Sequence, residues 1–208
     1  MKIYLVRHAQ SLWNAGVENK DDGQLSEVGK EQAKRLGTYF MKVEIDLVIC
    51  STLKRAKETL NFIIPYLKDK KIIYTNKIIE HNIGNYAKDG KFPKKFREDA
   101  KKARKDFYEF EPKGGESYAQ AFKRSKKFLL ELLKKYNSKN VLVVGHASFS
   151  KYLILNILGL DISEERYFRL NNASVSTFNV DKKGKVKDFH VNDFNHILKE
   201  GIKKNGKR

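Results

Sequence analysis

The chain has 208 residues, 43 Lys and Arg against 25 Asp and Glu, a formal charge of +18 and one cysteine. The length suits one domain with a sizeable core. With no charged-then-apolar leader and no apolar run of about 18 residues, the cytoplasm is the expected compartment and no membrane partner is expected. A lone cysteine excludes an internal disulfide. A charge of +18 attracts polyanions at low salt, but the lysines are spread along the whole chain without zinc-finger or aromatic RNA-binding spacing, so no specific nucleic-acid function is expected.

Lys2-Ile3-Tyr4-Leu5-Val6 has the β-branched and aromatic make-up of a short buried strand. It places Arg7 and His8 at its C-terminal end, the edge where ligands gather in open α/β sheets. Residues 12–24 read as a polar loop over that edge. Ser26 is an N-cap candidate, with Glu27 in the first turn of a helix running to about Met41. Residues 46–50 read as the second strand, and Ser51-Thr52 can cap a helix from Leu53 to about Ile63, ahead of Pro65. Residues 72–75 form a third strand, followed by Glu80 in a loop. Residues 88–111 carry a basic, aromatic-laced helical pattern with Phe92, Phe96, Phe107, Tyr108 and Phe110, expected to be an inserted lid. Ser117-Tyr118-Ala119-Gln120 has capping-box spacing and opens a helix to Tyr136, with Tyr118, Phe122, Leu129, Leu133 and Tyr136 on one face. Val141-Leu142-Val143-Val144 is a continuous apolar strand of the kind buried on both faces, and it delivers His146. Residues 150–158 are helical by pattern, and 174–180 with 185–191 form a hairpin around Asp181-Lys182-Lys183-Gly184.

The fold expected is an α/β, three-layer α/β/α sandwich with a mostly parallel central sheet and an inserted helical lid segment. One domain spans 1–198; residues 199–208, with five basic groups and one acid, read as a basic C-terminal tail.

A histidine and a guanidinium side by side at a strand end suit attack on an anionic group, phosphate above all. The surroundings sharpen this. Arg7-His8-Ala9-Gln10-Ser11-Leu12-Trp13-Asn14 resembles the R-H-G/A-x-S-x-x-N signature of the histidine phosphatase superfamily. Ser51-Thr52-Leu53-Lys54-Arg55-Ala56 resembles its S-x-x-x-R-A motif, Glu80-His81-Asn82-Ile83-Gly84 its E-x-x-x-G, and Gly145-His146-Ala147 its G-H-G/A. The resemblance implies that His8 is the nucleophile, forming a phosphohistidine. It further implies that Arg7 and Arg55 cradle the phosphoryl oxygens, that His146 donates a hydrogen bond to one of them, and that Glu80 is the acid and base. Asn14, Gln10 and Ser11 would line the phosphate loop. Ser117, in a stretch similar to the family's G-E-S, would either meet substrate or simply cap its helix. His81, Cys50 and the stretches 171–174 and 192–196 read as structural.

Ala9 stands where many members have glycine, and Asn85-Tyr86-Ala87 replaces the continuation common in phosphoglycerate-type members. The function implied is a phosphomonoester hydrolase acting on a small phosphorylated metabolite. The alternatives are a bisphosphoglycerate-dependent phosphoglycerate mutase, for which the 33 residues from 81 to 113 are a short insertion, and a polyanion-binding module without turnover. Cys50 to Arg55 is C-x4-R, one residue short of the cysteine-phosphatase loop. There is no H-E-x-x-H, paired C-x-x-C or G-x-x-x-x-G-K-[ST], so no cofactor or metal is expected. A metal site built from His8, His146 and Glu80 is opposed by the neighbouring Arg7 and Arg55. A homodimer is the open assembly state.

Overall fold

The computed structural model describes residues 1–17, 22–88, 94–181 and 184–198. The apolar runs pair into one six-stranded sheet of β1 (Lys2–Arg7), β2 (Leu47–Ser51), β3 (Lys71–Thr75), β4 (Asn140–Gly145), β5 (Val175–Val180) and β6 (Val186–Asp193), in the order β3-β2-β4-β1-β5-β6. The strands from β3 to β1 run parallel; β5 and β6 close the far side antiparallel.

Side chains alternate across a strand, so the sheet feeds two separate cores. Tyr4, Val6, Val48, Cys50, Leu142 and Val144 face one layer, made by α1 (Glu27–Phe40) and α2 (Lys54–Asn61) with the short α6 (Asn195–Leu198). Ile3, Leu5, Ile49, Val141 and Val143 face the other, made by α4 (Tyr118–Tyr136) and α5 (Ala147–Leu158). These are the three layers expected of the sequence. No helix among the described residues is long and apolar enough to cross a membrane.

Register then places the chemistry. Arg7 pairs with Gly145 across β1 and β4, so the next residues, His8 and His146, leave the sheet side by side with ring centroids 5.2 Å apart. The His8 N–H donates to Gly145 O at 2.9 Å, holding the two strand ends together.

Three segments differ from their sequence pattern. α5 begins at Ala147 rather than Ser150, because His146, extended at φ −128° and ψ 167°, is the N-cap residue. At α2 the N-cap is Leu53 without a side-chain cap; Ser51 is turned to another task described below. The 88–111 pattern yields only α3 (Lys94–Lys102) followed by turns, with 89–93, including Phe92, outside the described residues. Its aromatics are spent on a small core of their own: Phe96 is fully buried among Phe107, Phe110, Tyr86 and Tyr118. That cluster fastens the segment to the start of α4 and, through Tyr152, to the middle of α5. Gly84, at φ +57°, and Gly115 lie so close to the opposing backbone that a Cβ would come within 2.4 Å of a carbonyl oxygen at either, so glycine stitches 82–84 to 113–116. The tail 199–208 also lies outside the described residues.

Candidate active site

His8 is 3% exposed, and its ring nitrogens have distinct partners. Nδ1 lies 2.7 Å from Ala9 O, which can only accept, so Nδ1 carries the proton. Arg55, 2% exposed, donates from Nε to His8 Nε2 at 3.1 Å. The imidazole is therefore neutral, with its lone pair on Nε2 beside a guanidinium. Burial first, then the adjoining His146 ring and the charges of Arg7 and Arg55, push the His8 pKa well below its usual value, against an opposing effect of Ala9 O.

His146 is fully buried, and its Nε2 lies 2.7 Å from Ser51 Oγ. Ser51 Oγ accepts the Leu53 N–H at 3.3 Å, leaving its hydroxyl proton for His146. The imidazole proton then resides on Nδ1, a buried atom with no partner among the described residues. Burial, with Arg55 and Arg7 adding to it and Glu80 opposing, lowers the His146 pKa to about 3. It is a neutral donor at every physiological pH. Arg7 donates from one terminal nitrogen to Leu170 O at 2.5 Å, while its buried Nε is also without a partner. Burial lowers the Arg7 pKa, but guanidinium remains charged.

Glu80 sits against the N-terminus of α5. Its Oε1 accepts the N–H groups of His81 at 2.9 Å, Ser148 at 3.0 Å and Phe149 at 3.1 Å, the anion geometry of a helix start. Burial pushes its pKa up, yet His146 and those backbone donors prevail and leave it lowered. Among the described residues no cluster of three or more His, Cys, Asp or Glu could hold a metal. Burial pushes the Cys50 thiol up to about 12, so no thiolate is present near neutrality.

Two buried histidines, two arginines and one carboxylate thus converge at the C-terminal ends of β1, β2 and β4. The histidine phosphatase superfamily (branch 1) profile matches residues 3–193. The chain belongs to this superfamily. Phosphoserine phosphatase 1 of Hydrogenobacter thermophilus is 32% identical over 89% of this chain and 90% of its own. A probable phosphoglycerate mutase of Erwinia tasmaniensis is 30% identical over 85% of this chain and 83% of its own. The crystal structure of Entamoeba histolytica phosphoserine phosphatase in complex with 3-phosphoglyceric acid superposes with a TM-score of 0.75 at 25% identity, covering 95% of this chain and 99% of that one. This histidine phosphatase is a phosphatase enzyme.

The other residues named from the superfamily motifs have structural partners. Asn14 Oδ1 accepts from Ser11 N and Asn172 Nδ2, Ser11 Oγ accepts from Asn14 N, and Gln10 Oε1 and O accept from Ser26 Oγ, so this loop is tied to α1 and to the 171–174 turn. Ser117 stands apart: its hydroxyl caps α4 through Gln120 N, in a full capping box. Sequence motifs did not signal several supporting groups of this histidine phosphatase. Asn172 Nδ2 donates to His8 O at 3.1 Å. Asp22 stands 3.7 Å from Arg55 and accepts Lys54 N at 2.6 Å. Arg124 grips the Glu80 strand-end loop, donating to Lys77 O and Ile79 O while its other nitrogens hold Glu116 at 2.6 and 3.1 Å. His81 donates from Nε2 to Glu116 O and accepts at Nδ1 from the Tyr152 hydroxyl, so it braces the loop carrying Glu80. The Arg124–Glu116 spacing of eight residues was the available signal, but it matches a helix face equally well.

Proposed function

We propose that this protein hydrolyses small phosphomonoesters through a phosphohistidine on His8. The observation that carries the reading is the pair of bonds that fixes the His8 proton on Nδ1 and leaves the Nε2 lone pair beside Arg55. Nε2 attacks phosphorus, the bond to the leaving oxygen breaks, and Glu80 gives that oxygen a proton. Water then attacks the phosphohistidine, Glu80 takes the proton back, and inorganic phosphate departs with His8 restored. Arg7, Arg55 and the His146 Nδ1–H face the equatorial oxygens, where transition-state charge is spread. The resting Glu80 is ionised; a dianionic phosphoryl group arriving beside it supplies the like charge that raises its pKa and loads it with a proton.

Phosphoserine is the first substrate to assay, since relatives carry that activity in their names. Rapid quenching of a reaction with labelled phosphoserine, or with a labelled phosphosugar if phosphoserine is inert, is expected to leave acid-labile, base-stable label on the peptide containing His8 and none in His8→Ala. Unchanged turnover in His8→Ala overturns the mechanism. Phosphoryl interconversion of phosphoglycerates that depends on a bisphosphorylated primer and outruns phosphate release overturns the hydrolase reading in favour of a mutase. Chelation is expected to leave activity intact.

A further inference from the structure

Both ring nitrogens of His8 belong to one closed circuit of hydrogen bonds, one member of which has had no part in the reaction so far. Nδ1–H donates to Ala9 O at 2.7 Å. The N–H of that same residue, Ala9, donates to Thr59 Oγ1 at 3.0 Å. Thr59 Oγ1 donates in turn to Arg55 O at 2.7 Å, and Arg55 Nε donates to His8 Nε2 at 3.1 Å. The donors all point the same way round, out from Nδ1 and back to Nε2. Ala9 N–H and Arg55 Nε–H can only donate, so the circuit cannot reverse and the tautomer is fixed with it. His8, Ala9, Arg55 and Thr59 are each at most 3% exposed, and in such an interior the bonds of a chain polarise one another.

A threonine hydroxyl bonded to the carbonyl four residues back is ordinary inside a helix and adds nothing to its stability. Thr59 and Arg55 stand one turn apart on the buried face of α2, so that bond alone marks nothing. The bond from Ala9 is different. It comes from the backbone just past the end of β1, 50 residues away, at the peptide that follows the nucleophile. One hydroxyl therefore fixes how α2, which carries Arg55, sits against the backbone that carries His8. Both of its partners are backbone groups, so its effect on the reaction runs through position alone.

Resting on the hydrolase reading above, we propose that Thr59 is a positioning residue for the nucleophile: its hydroxyl sets the Ala9 carbonyl and the Arg55 guanidinium in register on the two sides of the His8 ring, and so aims the Nε2 lone pair at phosphorus. When the phosphoryl group arrives, Arg55 Nε gives up Nε2 in favour of a phosphoryl oxygen, and the ring is held by its Nδ1–H. Thr59 keeps Ala9 O, the acceptor at that end, in place while the N–P bond forms and the bond to the leaving oxygen breaks. Valine has nearly the same shape, but it leaves the buried Ala9 N–H without this partner and α2 without this tie. Displacing a reacting atom by about 1 Å costs on the order of a hundredfold in rate.

The test is the rate at which labelled nitrophenyl phosphate labels His8 on rapid quenching, compared in wild type, Thr59→Val and Thr59→Ser. That ester needs no proton from Glu80, so the rate reads the attack by His8 itself. In Thr59→Val the maximal labelling rate per folded protein is expected to fall about tenfold or more. The half-saturating ester concentration is expected to change less than about threefold, because Arg7 and the His146 Nδ1–H lie outside the circuit and still hold the phosphoryl group. Thr59→Ser keeps the hydroxyl and is expected to label within about threefold of the wild-type rate. Urea unfolding of the same proteins reads the separate cost of the unpaired Ala9 N–H, which a purely structural role would share. A folded Thr59→Val that loses less than about tenfold, or loses only in half-saturating concentration, overturns the proposal. So does a slowing beyond about threefold in Thr59→Ser, and that comparison decides where Thr59→Val does not fold. Each of these results leaves hydrolysis through His8 intact, whereas failure of the wild type to label His8 overturns both.

Discussion

His146 titrates far from its ordinary range, and that makes a measurable demand on stability. Burial holds its native pKa at about 3, whereas the unfolded chain offers an imidazole of about 6.5. Between those values the unfolded state binds a proton that the native state refuses, so stability is lost as pH falls below about 6.5 and continues to fall until about 3. Integrated from pH 7 to pH 5, the loss from this one group is about 2 kcal/mol. Glu80 contributes little in that window, since its pKa is lowered. His81 and His196 are lowered too, and their share is common to wild type and variant; His8 is lowered first by burial, which the variant keeps, and changes only through the smaller effect of His146. Urea unfolding of wild type and His146→Asn at pH 7 and pH 5 reads the term, because asparagine does not titrate and any cost of its smaller size is the same at both pH values. The variant is expected to lose about 2 kcal/mol less than wild type across that interval. Equal losses in the two proteins would mean that His146 is not held neutral, and the assignment of its Nδ1–H as a donor to phosphate would fall with it.

Glu80→Gln is expected to slow alkyl phosphates about a hundredfold while sparing nitrophenyl esters, which leave without a proton; equal losses would remove Glu80 from the acid role. Arg124→Met frees the loop that carries Glu80, so kcat on alkyl phosphates is expected to drop about tenfold with KM nearly constant, and a rise in KM alone would contradict that bracing. Gly29→Ala builds a Cβ only 1.9 Å from Gln10 O and is expected to destabilise the fold by about 2 kcal/mol in urea unfolding; a neutral result would show that α1 can move away from the catalytic loop.

The strands and the residues they deliver were legible because period and composition agree there. A buried apolar run such as 141–144 has few alternatives to a central strand, and the strand ends then announce Arg7, His8 and His146. The start of α5 was not legible. Its N-cap is a histidine, and histidine at that position carries no capping signal, so pattern pointed to Ser150, three residues late. That offset hid the N–H groups that hold Glu80. Ser51 misled in the opposite way: serine ahead of a helix reads as a cap, whereas here its hydroxyl orients His146 across the sheet. The aromatics of residues 96–118 announced burial correctly, but nothing in their spacing says that they pack on one another beneath a short helix rather than along one face of a long one.

Arg7 Nε and His146 Nδ1 are buried donors without partners among the described residues, and a tetrahedral oxyanion bound beside them would supply one to each. Inorganic phosphate meets that need as well as an ester does. The resting protein is therefore built to retain its own product: its melting temperature should depend on the phosphate in the buffer, and its turnover should slow as phosphate accumulates. Free phosphate is then expected to brake this enzyme without any separate regulatory site, and competitive inhibition of ester hydrolysis by added phosphate is the measurement that checks it.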